Sequence, residues 1–254
     1  MRVSEPDGLA RENHMSHLDV MIRKLRNDTD LDDDDIHAIR ALPIHVKRLP
    51  AHASILNEGD RPTQSCLMIE GYSTRSKTTD HGKRQILSVH IPGDIPDLQS
   101  LYLHVMDHDF GTLSACTVGF IPHEALRALT RSRPLVAEAM WRDTLVDAAI
   151  FREWIVNVGR RPAGARLAHF IMEMRERLAM IGRPANGEYE LPMTQADLAD
   201  ALGLTPVHVN RVLQALRAGG VMDMRRQIVT VGDAEKLIEI ADFSSLYLHQ
   251  RPEL

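Results

Sequence analysis

Leu191-Pro-Met-Thr-Gln-Ala-Asp-Leu-Ala-Asp-Ala-Leu-Gly-Leu-Thr-Pro-Val-His-Val-Asn-Arg211, continued by Val212-Leu213-Gln214-Ala215-Leu216, is the stretch that decides the fold. Thr194 is placed to cap a helix, and Asp197 three residues on completes a capping box. Gly203 suits the tight turn after that helix. Thr205 caps a second helix whose first position is Pro206, where no backbone donor is needed. Leu198, Leu202, Leu204, Val209 and Val212 then pin the two helices at a fixed angle, and small Ala199 lies where they cross. Leu213 and Leu216 bind the second helix to the rest of its domain. Residues 191–222 read as a helix-turn-helix.

What the scaffold leaves exposed carries the chemistry. Thr205, Pro206, Val207, His208 and Arg211 fall at the start of the second helix, on its solvent side. Recognition helices present their N-terminal residues to base edges in the major groove. Arg211 is the prime candidate, because a guanidinium bonds guanine O6 and N7 together. His208 donates to a base or phosphate, Val207 meets a thymine methyl, and Asn210 and Gln214 reach bases or phosphate. Thr194 and Gln195, at the start of the first helix, complete the candidate set there. Two short strands around Arg225-Arg226-Gln227 form a wing whose arginines sit on the phosphate backbone. The competing reading is an ordinary helical hairpin with a solvated polar face. Caps, turn, apolar positions, basic face and following hairpin together favour double-stranded DNA as the partner.

Charge distribution agrees. The chain of 254 residues carries a net −5, yet residues 160–232 hold ten Arg against seven acidic side chains, a net +3. Residues 1–159 are net −5 and the last 22 residues net −3, so positive charge gathers where phosphate contact is expected. The composition, 44% hydrophobic and 26% charged, is that of a globular protein without a membrane span. The polar start shows no secretory signal, and Cys66 and Cys116 make no disulfide framework; a reducing cytoplasm is the expected location.

Upstream, residues 1–16 read as frayed, and short helices follow at Leu18–Leu25 and Asp32–Ala41. From Val46 to Phe120, short apolar runs alternate with turns such as Glu58-Gly59-Asp60 and Pro92-Gly93-Asp94. Cys66–Ile69, Ile86–His90 and Thr112–Ile121 are the expected strands of an antiparallel barrel or sandwich, with a hairpin tip at Asp80-His81-Gly82. Pro134 opens a long helix to about Val158. One of its stripes is Val136, Met140, Thr144, Phe151, Trp154 and Val158, interrupted by polar Asp147; a neighbouring one holds Leu135, Ala139, Val146, Ala149, Ile150 and Val156. Two apolar stripes need two partners, either the barrel plus a second copy of the helix, or two surfaces of one monomer. Residues 159–164 form a hinge-like break, Arg166–Ile181 another helix, Gly182–Glu188 a loop, and a last helix starts at Asp233.

With these residues in view, the chain resembles the Crp–Fnr family of bacterial transcription regulators. The Leu191–Leu216 stretch carries the resemblance, supported by Ile55-Leu56-Asn57-Glu58-Gly59-Asp60, Leu67–Gly71 and Pro92-Gly93-Asp94. The resemblance implies an α+β protein: a cyclic-nucleotide-binding-like β-roll or jelly-roll sensor domain (17–133), a dimerisation helix (134–159) and a winged helix-turn-helix DNA-binding domain (160–241). It lifts the homodimer reading above the monomer one, with Val136, Met140, Thr144, Ala149, Ile150, Phe151, Trp154 and Val158 of the two stripes as the candidate dimerisation residues. It also implies an inverted-repeat operator and RNA polymerase as a partner.

Two departures bear on the signal. No arginine lies between Arg84 and Arg127, where nucleotide-binding members hold the cyclic phosphate, so cyclic AMP and cyclic di-GMP are not expected in the usual pocket. Two cysteines fall short of the four thiolates an iron–sulfur cluster requires. The cofactor, and any small-molecule effector, stay unidentified. His104 and His108, with Asp107 nearby, hold a metal or haem if their segment is helical, and are polar loop residues otherwise. Cys66 and Cys116 lie in strands, as structural thiols rather than redox sensors. No phosphate-cradling loop, nucleophile elbow or metalloprotease pairing marks an enzyme, leaving a His104/Asp107/His108 hydrolase and a pure protein-interaction module as the rival classes.

Overall fold

The computed structural model describes residues 16–182 and 187–250. Residues 1–15 of the expected frayed segment 1–16 and residues 183–186 of the expected loop lie outside the described residues. Two short helices come first, α1 (Asp19–Arg26) and α2 (Asp33–Arg40). Asp32 caps α2 by accepting from the Asp35 backbone N–H at 2.7 Å, and three acidic residues occupy the first turn.

Seven strands follow: β1 (His45–Leu49), β2 (Ser54–Leu56), β3 (Gln64–Glu70), β4 (Ser73–Thr78), β5 (Arg84–His90), β6 (Asp109–Thr112) and β7 (Cys116–Pro122). They form two antiparallel sheets, ordered β1-β7-β3 and β2-β6-β4-β5, which make the expected β-roll. The single strand expected over 112–121 is two strands, one in each sheet, because the chain switches sheets at Leu113–Ala115. Gly71 stands at that crossing with φ +85°; a Cβ there would fall 2.4 Å from the Ala115 carbonyl oxygen. Strand β4 escaped sequence reading because Ser73-Thr-Arg-Ser-Lys-Thr78 has no apolar alternation, although its first four residues are buried.

Helix α3 (His123–Ser132) leads to α4 (Pro134–Arg160), the long helix expected from Pro134. The hinge-like break contracts to Arg161-Pro162, after which α5 (Ala163–Met180) begins. The C-terminal unit is β8 (Glu188–Glu190), α6 (Gln195–Leu202), α7 (Pro206–Ala218), β9 (Met222–Arg225), β10 (Ile228–Val231) and α8 (Ala234–Ala241). Its antiparallel sheet is ordered β8-β10-β9, so the wing has three strands rather than two. A one-turn helix at Ser245–Leu248 then folds back over α4 and α5, burying Leu248. The core does not stop at the break: Tyr72, Ile86 and Val89 of the roll share one apolar cluster with Trp154, Phe170, Leu198 and Val209.

The assignment of α4 residues to a partner interface needs correction. Val136 and Met140 are buried in the chain's own cluster with α1, α2 and α3, and Ile150 and Trp154 in the cluster with α5. Ala149 is buried as well, while Thr144, Phe151 and Val158 are half-buried. Thr144 Oγ1 turns back onto the Met140 carbonyl, and the Phe151 ring lies 5.6 Å from the Arg75 guanidinium. The apolar side chains that α4 leaves in water are Leu135, Trp141 (64% exposed), Leu145, Ile155 (70% exposed) and Val156. Both stripes read from the sequence are largely consumed within the monomer, and a third, anchored on Trp141, is left over.

Candidate nucleic-acid interface

Local chemistry builds the two reading helices. Thr194 Oγ1 accepts from the Asp197 N–H at 3.1 Å, and Asp197 Oδ2 accepts from the Thr194 N–H at 3.0 Å. This is the reciprocal capping box. Gly203 closes α6 in the left-handed region, φ +63°, with its N–H on the Ala199 carbonyl. Thr205 Oγ1 accepts from the His208 N–H at 3.2 Å and Pro206 occupies the first position of α7. Leu198, Ala199, Leu202, Val209, Val212, Leu213 and Leu216 are buried and set the crossing; Leu204 packs on them half-buried.

Thr194, Gln195, Thr205, Pro206, Val207, His208, Asn210, Arg211 and Gln214 are all exposed. Asn210 Nδ2 donates to Gln195 Oε1 at 3.3 Å, which joins candidate readers on the two helices. Gln214 accepts from Arg217 Nη1 at 3.3 Å. At the wing, Arg226 and Gln227 adopt φ +50° and +67° and form the two-residue tip between β9 and β10. Arg225 and Arg226 are exposed, but they are not equivalent. Arg225 Nε pairs with Asp223 Oδ2 at 2.7 Å, and the same carboxylate receives Arg217 from α7 at 2.5 Å. Asp223 was not singled out from the sequence, because its role depends on α7 reaching the wing.

A second feature lies where the roll, α1, α4 and α5 meet: a cavity of about 90 Å³. An arginine does enter it, from β4 rather than from the region after Arg84. Arg75 donates Nε to the Pro96 carbonyl at 2.6 Å and Nη1 to Asp147 Oδ2 at 2.6 Å. Lys24 bridges Asp94 and Asp143 at 2.7 and 2.6 Å, Arg177 reaches Asp94 at 3.1 Å, and Arg142 lies 3.1 Å from Asp28. Burial pushes the Asp94 carboxyl up, but Lys24, His90 and Arg177 outweigh it and hold the group well below the usual carboxylate range. His90 is kept neutral, its pKa lowered to about 4 by burial and by Arg75. Each lining cation thus faces a carboxylate, and a cyclic phosphate would have to displace one. The residues present do not fit a cyclic nucleotide.

Nor do the cysteines fit a cluster. Cys66 and Cys116 are buried free thiols whose pKa values burial pushes up, and the chain contains no others. The His104/His108 metal or haem alternative is also corrected. Their segment is not helical, His104 is exposed and His108 is buried with Nδ1 on Asp107 at 2.6 Å. Spacing of four residues brings two side chains together only on a helix. Among the described residues no group of three or more His, Cys, Asp or Glu is placed to hold a metal, and no helix is long and apolar enough to cross a membrane.

A roll, a long helix and a winged helix-turn-helix with an exposed polar reading face define a DNA-binding regulator. Comparison with known proteins gives the family. Residues 46–133 match the cyclic nucleotide-binding domain and residues 165–240 the Crp-like helix-turn-helix domain. The chain belongs to the Crp–Fnr family of transcription regulators. It is 28% identical over 202 residues to the transcriptional activator protein FnrL of Cereibacter sphaeroides, covering 78% of this chain and 80% of that one. It is 28% identical over 170 residues to the nitrogen fixation regulation protein FixK of Bradyrhizobium diazoefficiens, covering 66% and 70%. The solved structure of FixK2 from Bradyrhizobium japonicum shares the fold, with TM-score 0.73 and 22% identity over 80% of this chain and 100% of that one.

Proposed function

We propose that the chain acts in the cytoplasm as a homodimeric, sequence-specific transcription regulator that reads an inverted-repeat operator. The observation that carries this reading is the N-terminal face of α7. Val207, His208, Asn210 and Arg211 stand in water on a helix whose opposite side is locked by Val209, Val212 and Leu213. Such a face inserts into the major groove, with Arg211 on guanine and the Arg226 tip on phosphate. The second copy docks along α4 on the exposed Trp141, Leu145 and Ile155 stripe, because large apolar side chains left in water on one helix face call for a partner. Residues 17–133 then serve as the sensor, 134–159 as the dimer helix and 160–241 as the reader, with RNA polymerase as the downstream partner. Any effector of the sensor is neither a cyclic nucleotide nor an iron–sulfur cluster. Selection of bound duplexes from random DNA tests the reading: an enriched palindrome supports it, and no enrichment leaves a protein-interaction module in its place.

A further inference from the structure

The hairpin of β4 and β5 touches the reader directly. Arg84, the first residue of β5, donates Nη2 to Asp197 Oδ1 at 2.7 Å and Nε to Asp200 Oδ2 at 2.8 Å. Gln85 Nε2 beside it donates to the Ala201 carbonyl at 3.2 Å. One residue further, Ile86 is fully buried in the cluster that holds Leu198, Ala199 and Leu202. Three consecutive residues of the roll therefore engage α6 by charge, by hydrogen bond and through a shared core.

Asp197 divides its two oxygens between two tasks. Oδ2 closes the capping box with Thr194, and Oδ1 faces Arg84. The residue is buried, so the orientation of its carboxylate is held from both sides. At the other end of the hairpin, Arg75 of β4 lies opposite Ser88 of β5 and holds Asp147 of α4. The hairpin is thus tied to the long helix at one end and to the start of the helix-turn-helix at the other.

We propose that Arg84 is a positioning residue for DNA reading: its fork on Asp197 and Asp200 fixes the pitch of α6 and α7 against α4. In a dimer that pitch sets the separation of the two reading helices, and half-site spacing on DNA is a geometric consequence of that separation. The proposal rests on the homodimer–operator reading above. It assigns to Arg84 the choice of spacing, and to α7 the choice of bases.

The test uses the full chain and its Arg84→Ala, Arg84→Lys and Asp200→Asn variants; Asp197 is left intact because it caps α6. Binding is measured to the selected operator, to operators with one base pair added or removed between half-sites, and to a single half-site. Arg84→Ala should bind the correctly spaced operator roughly three- to tenfold more weakly, in keeping with a partly exposed pair. It should lose most of its preference over the misspaced operators while single-half-site binding stays unchanged. Arg84→Lys should recover part of that preference, and Asp200→Asn should show a smaller form of the loss. A loss equal on operator and half-site, or an unaltered spacing preference, overturns the proposal. Hydrogen exchange without DNA separates this failure from failure of the operator reading. Amides of residues 195–203 should exchange faster in Arg84→Ala whether or not an operator is found, and unchanged exchange there also overturns the proposal.

Discussion

The indole Nε1–H of Trp154 reaches both carboxylate oxygens of Glu173, at 3.1 and 3.0 Å, from α4 to the fully buried centre of α5. Tyr247 donates its hydroxyl to Glu173 Oε2 at 2.9 Å, and Arg177 approaches Oε1 at 3.5 Å. One carboxylate thereby gathers the long helix, the first helix of the reader and the C-terminal turn. Burial raises the Glu173 pKa, while Arg177, Trp154 and Tyr247 work against it by stabilising the charged form. Trp154→Phe keeps an aromatic side chain but trims the buried indole and removes a donor from a buried acceptor, so the lost donor should cost about 1–3 kcal/mol and the lost volume should add to it. Urea unfolding followed by circular dichroism measures it. An unchanged midpoint would mean that Tyr247 and Arg177 satisfy Glu173 alone.

On α4, two kinds of variant should separate cleanly. Trp141→Glu and Leu145→Glu place charge on the exposed stripe and should shift the protein to monomers in sedimentation velocity while leaving unfolding nearly unchanged. Met140→Ala should do the reverse, costing about 2–5 kcal/mol of stability because that side chain fills the chain's own core. Dimers that survive the Trp141 and Leu145 changes would put the interface elsewhere.

In the reader, Arg211→Ala should cost about 1–3 kcal/mol of DNA binding and relax one base position per half-site. Arg226→Ala should weaken binding evenly across sequences and lower the salt slope by about one per half-site. Arg225→Ala should do less, because Asp223 already offsets its charge. Quantitative gel shifts over a salt series distinguish the three. Unchanged affinity and preference in Arg211→Ala would place a different residue on the bases.

Asp97 makes the fold pH-sensitive. It is buried at the end of the roll, its Oδ1 accepts from the Cys66 N–H at 2.7 Å, and burial lifts its pKa to about 7. Its unfolded value is about 3.9. The folded state therefore binds a proton that the unfolded chain lacks between those values. The favourable contribution is complete below about pH 4 and is lost as pH rises through about 7. Asp97→Asn keeps an acceptor oxygen without the charge, so its stability relative to wild type should grow between pH 5 and pH 8, by an amount on the order of 3 kcal/mol. His90, lowered to about 4, acts oppositely: stability it supplies above about pH 6.5 is lost as pH falls through 4. A stability difference flat with pH would mean that Asp97 titrates normally.

Residues 191–216 determined the helix-turn-helix without help, because caps, a glycine turn and helical periodicity act within a few residues of themselves. The roll was legible from its turns and the long helix from its period, and every candidate reader on α6, α7 and the wing tip proved exposed. What tertiary structure alone decided is which surfaces meet. Periodicity shows that α4 has apolar stripes, but only the packing of α1, α3 and α5 shows that Trp154 and Met140 are already covered and Trp141 is not. Nothing in the sequence singles out Arg75 or Arg84, since their carboxylates lie 72 and 113 to 116 positions away. An ion pair needs closeness in space, and residues so far apart become neighbours only once the whole chain has folded.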